Sequence, residues 1–359
     1  MKILSIVGAR PQFVKAAPVS QAIRKKHTEV LLHTGQHYDE NMSRIFFDDL
    51  GIPRPDYNLE IGSESHAVQT ARILEGVEQV LFEQNPDAVL VYGDTNSTIG
   101  GALAATKLHI PVAHVEAGLR SFNWDMPEEI NRVLTDRISR WLFCPTQTAV
   151  DHLKNEGRTE GVFLTGDVMY DALLHFSAIA EARPSPLQKF ELSEKAYCLA
   201  TVHRPANTDD PQNLTAIVNA FVESGETIIF PVHPRTRKFL TDYGLDKKIK
   251  DSENLRVVEP LSYLDILVLE KYAEKILTDS GGMQKEAYLW GVPCVTLREE
   301  TEWTETIEEG WNRLVGARHD EILEAIADFH PTAPRRFSYG DGHASEKIVR
   351  ILEEALETV

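Results

Sequence analysis

Short apolar runs alternate with helix-prone segments along nearly the whole chain, and this alternation restricts the fold more than any other feature. Lys2–Val7 and Ala88–Tyr92, for example, have the length and composition of buried parallel strands. Between such runs, His66–Phe82 repeats apolar residues at spacings of three and four, which is typical of an amphipathic helix. We therefore expect an α/β protein with parallel sheets covered by helices on both faces. The predicted strands are Lys2–Val7, Glu29–Thr34, Ala88–Tyr92, Pro111–Val115, Trp141–Cys144, Val162–Thr165, Tyr197–Val202, Thr227–Val232, Leu255–Val258, Lys275–Thr278 and Pro293–Leu297.

The alternation is interrupted near the middle of the chain by Arg183–Lys195, a charged segment that contains two prolines. The chain has 359 residues, enough for two domains of about 150 residues each. We place the domain junction near Gly166. The N-terminal Rossmann-like domain then comprises residues 1–166 and 343–359, and the C-terminal one comprises residues 167–342, with a cleft between them.

Composition excludes two classes of partner. The chain has 55 acidic and 37 basic residues and a formal net charge of -18, whereas nucleic acids and anionic membranes bind basic surfaces. No apolar run reaches the roughly 20 residues that span a bilayer. Three cysteines without a Cys-x-x-Cys pair fit a reducing compartment, and no signal peptide precedes Lys2–Val7. We expect a soluble, cytoplasmic protein.

Ile276–Leu289 is the segment most typical of a ligand site. A predicted strand ends in Ser280, Gly281 and Gly282, and a helix-prone run that contains Glu286 follows. Free N–H groups at the start of a helix favour an anion, most often phosphate. Glu286, one turn deeper, could accept both hydroxyls of a ribose, or it could be an exposed helix carboxylate.

Ionisable residues are concentrated where the predicted strands end, which is where parallel sheets bind ligands. They are Arg10, Asp94, Glu116, His203, Arg204 and His233. Glu128 opens a predicted helix, so it either joins this carboxylate group or belongs to a helix cap that starts at Asp125. Several carboxylates in one cleft raise one another's proton affinity, which suits general acid–base catalysis. Lys15 could neutralise a carboxylate or a phosphate, or it could be a solvated lysine.

Common nucleotide and hydrolase motifs are absent from the sequence. It contains neither G-x-G-x-x-G nor G-x-x-x-x-G-K-[ST], so nicotinamide binding and P-loop hydrolysis are not expected. No Gly-x-Ser-x-Gly elbow indicates acyl transfer. His33 and His37 span a strand end and a turn rather than one helix face, so no metal site is predicted.

Several of these segments together resemble the non-hydrolysing UDP-N-acetylglucosamine 2-epimerases. The resemblance extends from Gly8 to Gly342, in the order of that family. Its motifs are Gly8-Ala9-Arg10-Pro11, Tyr92-Gly93-Asp94-Thr95, His114-Val115-Glu116-Ala117-Gly118-Leu119-Arg120, Pro127-Glu128-Glu129-x-Asn131-Arg132, His203-Arg204, Pro231-Val232-His233, Thr278-Asp279-Ser280-Gly281-Gly282 and Tyr339-Gly340-Asp341-Gly342. The resemblance implies a GT-B-like fold of two Rossmann-like domains and a cytoplasmic homodimer. It also implies a UDP-sugar substrate and no metal or nicotinamide cofactor.

The resemblance implies a reaction as well, the conversion of UDP-GlcNAc to UDP-ManNAc. UDP leaves C1 while a base takes the C2 proton, and the resulting glycal regains a proton on its other face and then UDP. Asp94, Glu116 and Glu128 would be the catalytic carboxylates, whose individual roles stay open. His203 and Arg10 would face the diphosphate. The remaining expected substrate-binding residues are Lys15 and Arg132 on the sugar side, His233, Ser280, Gly281 and Gly282 for phosphate, and Glu286 for the ribose.

Three departures from the usual family motifs leave the sugar open. They are Gln12 after Arg10-Pro11, Lys285 before Glu286, and Trp303 where the family has an arginine. All three resemble the related branch that epimerises UDP-2,3-diacetamido-2,3-dideoxyglucuronic acid. Gln12 and Lys285 shift the local charge toward positive, as a carboxylate-bearing sugar requires, and Trp303 shifts it the other way. A GT-B glycosyltransferase, which shares the fold but transfers the sugar to an acceptor, is a further alternative.

Overall fold

Residues 1–35, 52–62 and 64–357 are described by a computed structural model, and within them the chain divides into two compact units. The N-terminal unit comprises Met1–His175 and Ser338–Val359, and the C-terminal unit comprises Phe176–Phe337. The sequence also favours a helix over residues 39–50, and this segment and His37 lie outside the described residues, as does the side chain of Arg10.

The N-terminal unit is built on a parallel seven-stranded sheet with the order β3-β2-β1-β4-β5-β6-β7. Its strands are β1 (Lys2–Val7), β2 (Thr28–His33), β3 (Tyr57–Asn58), β4 (Ala88–Tyr92), β5 (Val112–Val115), β6 (Trp141–Cys144) and β7 (Val162–Leu164). Its described helices are α1 (Arg10–Arg24), α2 (His66–Gln84), α3 (Asn96–Lys107), α4 (Pro127–Ile138), α5 (Gln147–Asn155), α6 (Val168–Glu181, which crosses into the C-terminal unit) and the last helix of the chain, Ala344–Glu357. The central strand β4 is buried along its whole length, because helices cover both faces of the sheet.

The C-terminal unit has a parallel six-stranded sheet with the order β10-β9-β8-β11-β12-β13. Its strands are β8 (Cys198–Thr201), β9 (Ile228–Pro231), β10 (Leu255–Val258), β11 (Lys275–Thr278), β12 (Cys294–Thr296) and β13 (Asn312–Leu314). Its helices are α7 (Pro186–Lys189), α8 (Pro205–Thr208), α9 (Pro211–Glu223), α10 (Pro234–Asp242), α11 (Asp246–Lys250), α12 (Tyr263–Tyr272), α13 (Gly281–Trp290), α14 (Thr304–Glu308) and α15 (His319–Asp328), and the last helix of the chain is α16. The predicted class, α/β with two Rossmann-like parallel sheets, is confirmed.

Two strands escaped the sequence analysis because they carry little apolar signal. β3 has two residues and β13 has three, and each lies at one edge of its sheet. Edge strands are short and polar in many proteins, so periodicity does not mark them. The division after His175 falls inside the continuous helix α6, which explains why no linker composition marks it.

Within the described residues, no helix is both long and apolar enough to cross a bilayer.

The core of the C-terminal unit offers a test of this packing. Phe221 and Phe230 are fully buried, and their rings meet edge to face with centroids 5.9 Å apart. Phe221→Ala should lower the free energy of unfolding by about 3–5 kcal/mol, because it removes apolar burial and leaves a cavity. Chemical denaturation followed by tryptophan fluorescence would measure the change. Phe82→Ala is the control, since that ring is 68% exposed and its loss should change little.

Candidate functional site

The carboxyl ends of β4 and β5 carry two of the predicted catalytic residues. These strands are neighbours in the sheet, so Asp94 and Glu116 follow at the same edge. Glu116 has a φ of +66°, a left-handed conformation that costs a non-glycine residue about 1–3 kcal/mol. Such strain persists only where the surroundings impose it, and it is concentrated at functional sites.

Lys15 and Arg132 neutralise these two carboxylates. Lys15 Nζ lies 2.5 Å from Oε2 of Glu116, whose side chain is 4% exposed. Arg132 Nη2 lies 2.5 Å from Oδ2 of Asp94. Lys15 is therefore an ion-pair partner and not a solvated lysine, so that alternative interpretation is wrong. Each carboxylate thus lies in direct contact with a cationic side chain.

A buried chain of hydrogen bonds holds the turn that carries Asp94. His114, fully buried on β5, contacts Gly93 O through Nε2 and Asp136 Oδ1 through Nδ1, at 2.7 Å each. Both partner atoms are hydrogen-bond acceptors, so the ring links the Gly93 carbonyl to the Asp136 carboxylate. Burial alone would raise the pKa of Asp136, but His114 and Arg120 hold it below its usual range. Sequence reasoning missed Asp136; the polar histidine inside an apolar strand was the available signal.

Of the two neighbouring glutamates on α4, Glu129 is buried and hydrogen-bonded, whereas Glu128 is exposed. It is 1% exposed and accepts N–H bonds from Ser121 and Phe122, both at 2.9 Å, and from Arg132 at 3.0 Å. Burial would raise the pKa of Glu129, but the hydrogen bonds from Ser121 and Phe122 lower it below its usual range. Glu128 is exposed and makes no hydrogen bond within the described part of the chain.

The alternative helix-cap interpretation of Glu128 is wrong. The N-cap of α4 is Met126, which has no side chain that can accept a hydrogen bond, and not Asp125. Pro127 at the first helical position is the predicted feature that remains.

Gln12 closes the turn after β1, where the sequence analysis interpreted it through its charge. Its Oε1 accepts the N–H groups of Gly8 and Ala9 at 2.8 and 3.0 Å, and its Nε2 donates to Tyr92 O at 2.6 Å. A carboxylate could not make the last bond, because it has no donor. The amide therefore ties the end of β1 to the end of β4.

In the C-terminal unit, Asp279 organises the predicted anion turn. It follows β11, is fully buried, and accepts the backbone N–H groups of His203 and Arg204 at 3.1 and 3.0 Å. The His203 side chain is 49% exposed, with Nδ1 3.5 Å from Asp279 Oδ1. The loop after β8 is thereby held beside the start of α13, whose N-cap is Ser280. Asp279 was quoted as part of a motif, but its role was not predicted.

A second loop lies over the start of α13. Trp303 Nε1 donates to Gly281 O at 2.8 Å, and the Lys285 ammonium lies 4.2 Å from the Trp303 ring centroid, a cation–π distance. The Glu302 carboxylate, paired with Arg298 at 3.1 Å, lies so close to Gly281 that a Cβ there would clash with it. A carboxylate at this place agrees with a helix start that favours anions.

The remaining predicted binding residues differ in setting. Glu286 is buried at 6% exposure and accepts a hydrogen bond from Tyr263 at 3.0 Å, so its interpretation as an exposed helix carboxylate is wrong. His233 is exposed at the N-cap of α10, where Nδ1 accepts the N–H of Arg235 at 3.2 Å. The structure thus brings together Lys15, Asp94, Glu116 and Arg132 in one unit, and His203, Ser280, Gly281 and Gly282 in the other.

Comparison with known proteins places this chain in a family. The family model described as UDP-N-acetylglucosamine 2-epimerase matches residues 21–353. A UDP-N-acetylglucosamine 2-epimerase homolog of Methanococcus maripaludis is 58% identical, with 98% of this chain and 99% of the relative covered. The UDP-2,3-diacetamido-2,3-dideoxy-D-glucuronate 2-epimerase of Pseudomonas aeruginosa is 49% identical over the same shares of the two chains.

A solved structure agrees with these relatives. The crystal structure of Methanocaldococcus jannaschii UDP-GlcNAc 2-epimerase in complex with UDP-GlcNAc and UDP is 45% identical. It matches with a TM-score of 0.84 over 99% of this chain and 100% of its own. The chain therefore belongs to the UDP-N-acetylglucosamine 2-epimerase family.

Proposed function

We propose that this protein inverts C2 of a UDP-N-acetylamino sugar and interconverts UDP-GlcNAc and UDP-ManNAc. The observation that carries the proposal is the strained, buried Glu116, paired with Lys15 beside the Asp94–Arg132 pair. Two carboxyl groups at one sheet edge are candidates for the acid–base groups that proton removal and return require. Relatives that cover the full chain carry the epimerase name, which supports the same reaction.

The reaction proceeds by elimination and re-addition of UDP. A carboxylate takes the C2 proton, the C–H electrons form the C1=C2 double bond, and the C1–O bond breaks with its electrons passing to UDP. Return of a proton to the opposite face of C2 and attack of the UDP oxygen on C1 give the epimer. Asp94, Glu116 and Glu128 are the proposed acid–base residues, with Lys15 and Arg132 on the sugar side.

UDP stays bound during the glycal stage, because its loss would release the intermediate. The proposed diphosphate site of the C-terminal unit consists of Ser280, Gly281 and Gly282 at the start of α13, with His203 beside them and His233 as a further ligand. Arg10 is the proposed diphosphate ligand that the N-terminal unit supplies. Unpaired N–H groups at a helix start stabilise the charge that develops on the leaving diphosphate. Glu286 binds the ribose.

A second candidate substrate is UDP-2,3-diacetamido-2,3-dideoxyglucuronate. The 49% identity to an epimerase of that name favours it, as does the Lys285 ammonium at the start of α13. A uronic acid carries a carboxylate that this cation would attract. The two substrates would react by the same mechanism and differ in the groups that they carry at C3 and at C6.

Exchange at C2 tests the reaction and the substrate together. In heavy water, NMR should show deuterium at C2 and a gluco/manno mixture from UDP-GlcNAc, because the returned proton comes from solvent. Exchange only with the diacetamido uronic acid would assign the second substrate. No exchange with either sugar would contradict the proposal, and transfer to an added acceptor would indicate a glycosyltransferase.

The two neighbouring glutamates of α4 separate chemistry from structure. Glu128→Gln should reduce kcat at least 100-fold and leave the unfolding free energy within about 0.5 kcal/mol, because this exposed side chain holds nothing in place. Glu129→Gln should cost about 1–3 kcal/mol, because it removes the charge that Arg132 and two backbone N–H groups contact.

Steady-state kinetics and denaturation of both variants give the comparison. Glu160→Gln, on an exposed turn, is the matched control and should change neither quantity. Normal kcat in Glu128→Gln would remove Glu128 from the catalytic set.

The protein is further proposed to be a homodimer through an apolar face of the N-terminal unit. Phe122 and Trp124 are 68% and 62% exposed, and Met126, Ile130 and Leu134 follow at a spacing of four on one face of α4. Contiguous exposed apolar residues of this kind mark interaction surfaces. Leu134→Glu should therefore shift the protein from dimer to monomer in sedimentation velocity.

Leu164→Glu is the matched control, since Leu164 is 53% exposed outside this face and should leave the mass unchanged. A Leu134→Glu protein that keeps the dimer mass would place the interface elsewhere.

A further inference from the structure

Glu270 on α12 has a buried carboxyl group that no N–H or O–H donor of the described residues contacts. Its side chain is fully buried, and neither carboxyl oxygen receives a hydrogen bond from an N–H or O–H group of the described residues. An isolated carboxylate in such a place is very costly, so the group either holds a proton or shares one. None of the catalytic roles assigned above uses Glu270.

The neighbour of Glu270 is Glu286, the proposed ribose ligand. Helices α12 and α13 pack together, and the Tyr263 hydroxyl of α12 donates to Glu286 of α13 at 3.0 Å. Glu270 follows Tyr263 by seven residues, about two helical turns, so both side chains lie on one face of α12 and Glu270 neighbours Glu286. Two neighbouring buried carboxylates are very costly when both are ionised, so the pair retains a proton. Burial, and next the charge of Glu286, raises the pKa of Glu270 well above its usual range. Burial also raises the pKa of Glu286, but hydrogen bonds from Tyr263 and Glu270 oppose that rise, so the proton belongs on Glu270.

The number of acceptor positions then matches a ribose. An ionised carboxylate offers about four lone-pair positions. On Glu286, the Tyr263 hydroxyl occupies one at 3.0 Å. A proton held on Glu270 would be donated to a second. Two positions remain on a side chain that is 6% exposed, and a vicinal diol supplies two donors in a small space.

We propose that Glu270 is a positioning residue for nucleotide recognition: it donates the shared proton to Glu286 and leaves that carboxylate two acceptor positions for the 2′- and 3′-hydroxyls of a ribose. The proposal rests on the proposed function, in which Glu286 binds the ribose of UDP. It makes the protein selective for ribonucleotides over 2′-deoxyribonucleotides.

Among the described residues, few other ionisable groups act on the pair. Tyr263 and Glu270 belong to α12, and Lys285 on α13 carries the positive charge that favours an ionised Glu286. Tyr197 and Cys294, from the segments that enter β8 and β12, face Glu270, and burial raises the pKa of both, so they are uncharged at neutral pH. The protonation of the pair therefore depends mainly on its own two members.

Calorimetric titration with UDP and with 2′-deoxy-UDP tests the proposal, and the ratio of the two dissociation constants is the readout. Titration of the phosphates and a general loss of active protein affect both ligands equally, so neither changes this ratio. Wild type should prefer UDP roughly tenfold, the effect of one hydrogen bond to a charged group. Glu270→Gln should keep this preference, because its amide N–H still donates to Glu286.

Glu270→Leu should lose the preference in a pH-dependent way. Without the donor, the pKa of Glu286 rises, so Glu286 takes up a proton itself and presents one acceptor fewer. The ratio should fall to about one to three at the acidic end of the titration and recover as the pH rises and Glu286 ionises. Glu309→Gln is the matched control, since Glu309 is another buried carboxylate that a tyrosine, Tyr288, contacts at 2.6 Å.

The outcomes are distinguishable. A wild-type ratio in Glu270→Leu at every pH, or an absent UDP preference in wild type, overturns the positioning role and leaves the epimerase reaction standing. Failure of the wild type to bind UDP overturns the proposed function itself. If Glu270→Leu does not fold, infrared difference spectroscopy of wild type against Glu270→Gln decides. At neutral pH, a protonated carboxyl band that is present in wild type and missing from Glu270→Gln supports the proposal. Absence of this band from wild type overturns it.

Discussion

Buried carboxylates that accept backbone N–H groups hold the loops of both units in place. Glu129 binds the N–H groups of Ser121 and Phe122, and Asp279 those of His203 and Arg204. Asp136 does the same for Gly118 and also orients His114. Loops at the ends of parallel strands have no sheet partners for their N–H groups, and ionised acceptors satisfy them strongly. The residues proposed to act on substrate depend on this support.

The supporting carboxylates differ from the exposed ones in their burial and in the number of donors that contact them. Asp136 and Glu129 are buried with several donors each, so they stay ionised and cannot exchange protons readily. Asp94 is 31% exposed and faces one guanidinium, and Glu128 is exposed. One fold thus contains buried carboxylates that several donors keep as anions, and more exposed carboxylates that have few partners within the described residues.

The fold and part of the candidate site could be predicted because the sequence patterns that indicate them are local. Apolar runs locate the central strands, and Ser280-Gly281-Gly282 marks a helix start. The roles of Asp136, Asp279 and Glu270 could not be predicted, because each depends on a partner distant in sequence. Asp136 meets His114 across 22 positions, and Asp279 meets His203 across 76. The helix beginning at Pro127 was predicted correctly, but its cap was not, since the backbone geometry makes Met126 the N-cap although Asp125 has the better capping side chain.

The Glu302 carboxylate over Gly281 has a consequence for any ligand of α13. An anion that approached this helix start would meet a side chain of its own charge, which pairs with Arg298. Like charges repel, so the binding free energy of such an anion would include the cost of moving Glu302 away. Arg298 would then lose its partner and could pair with the ligand instead.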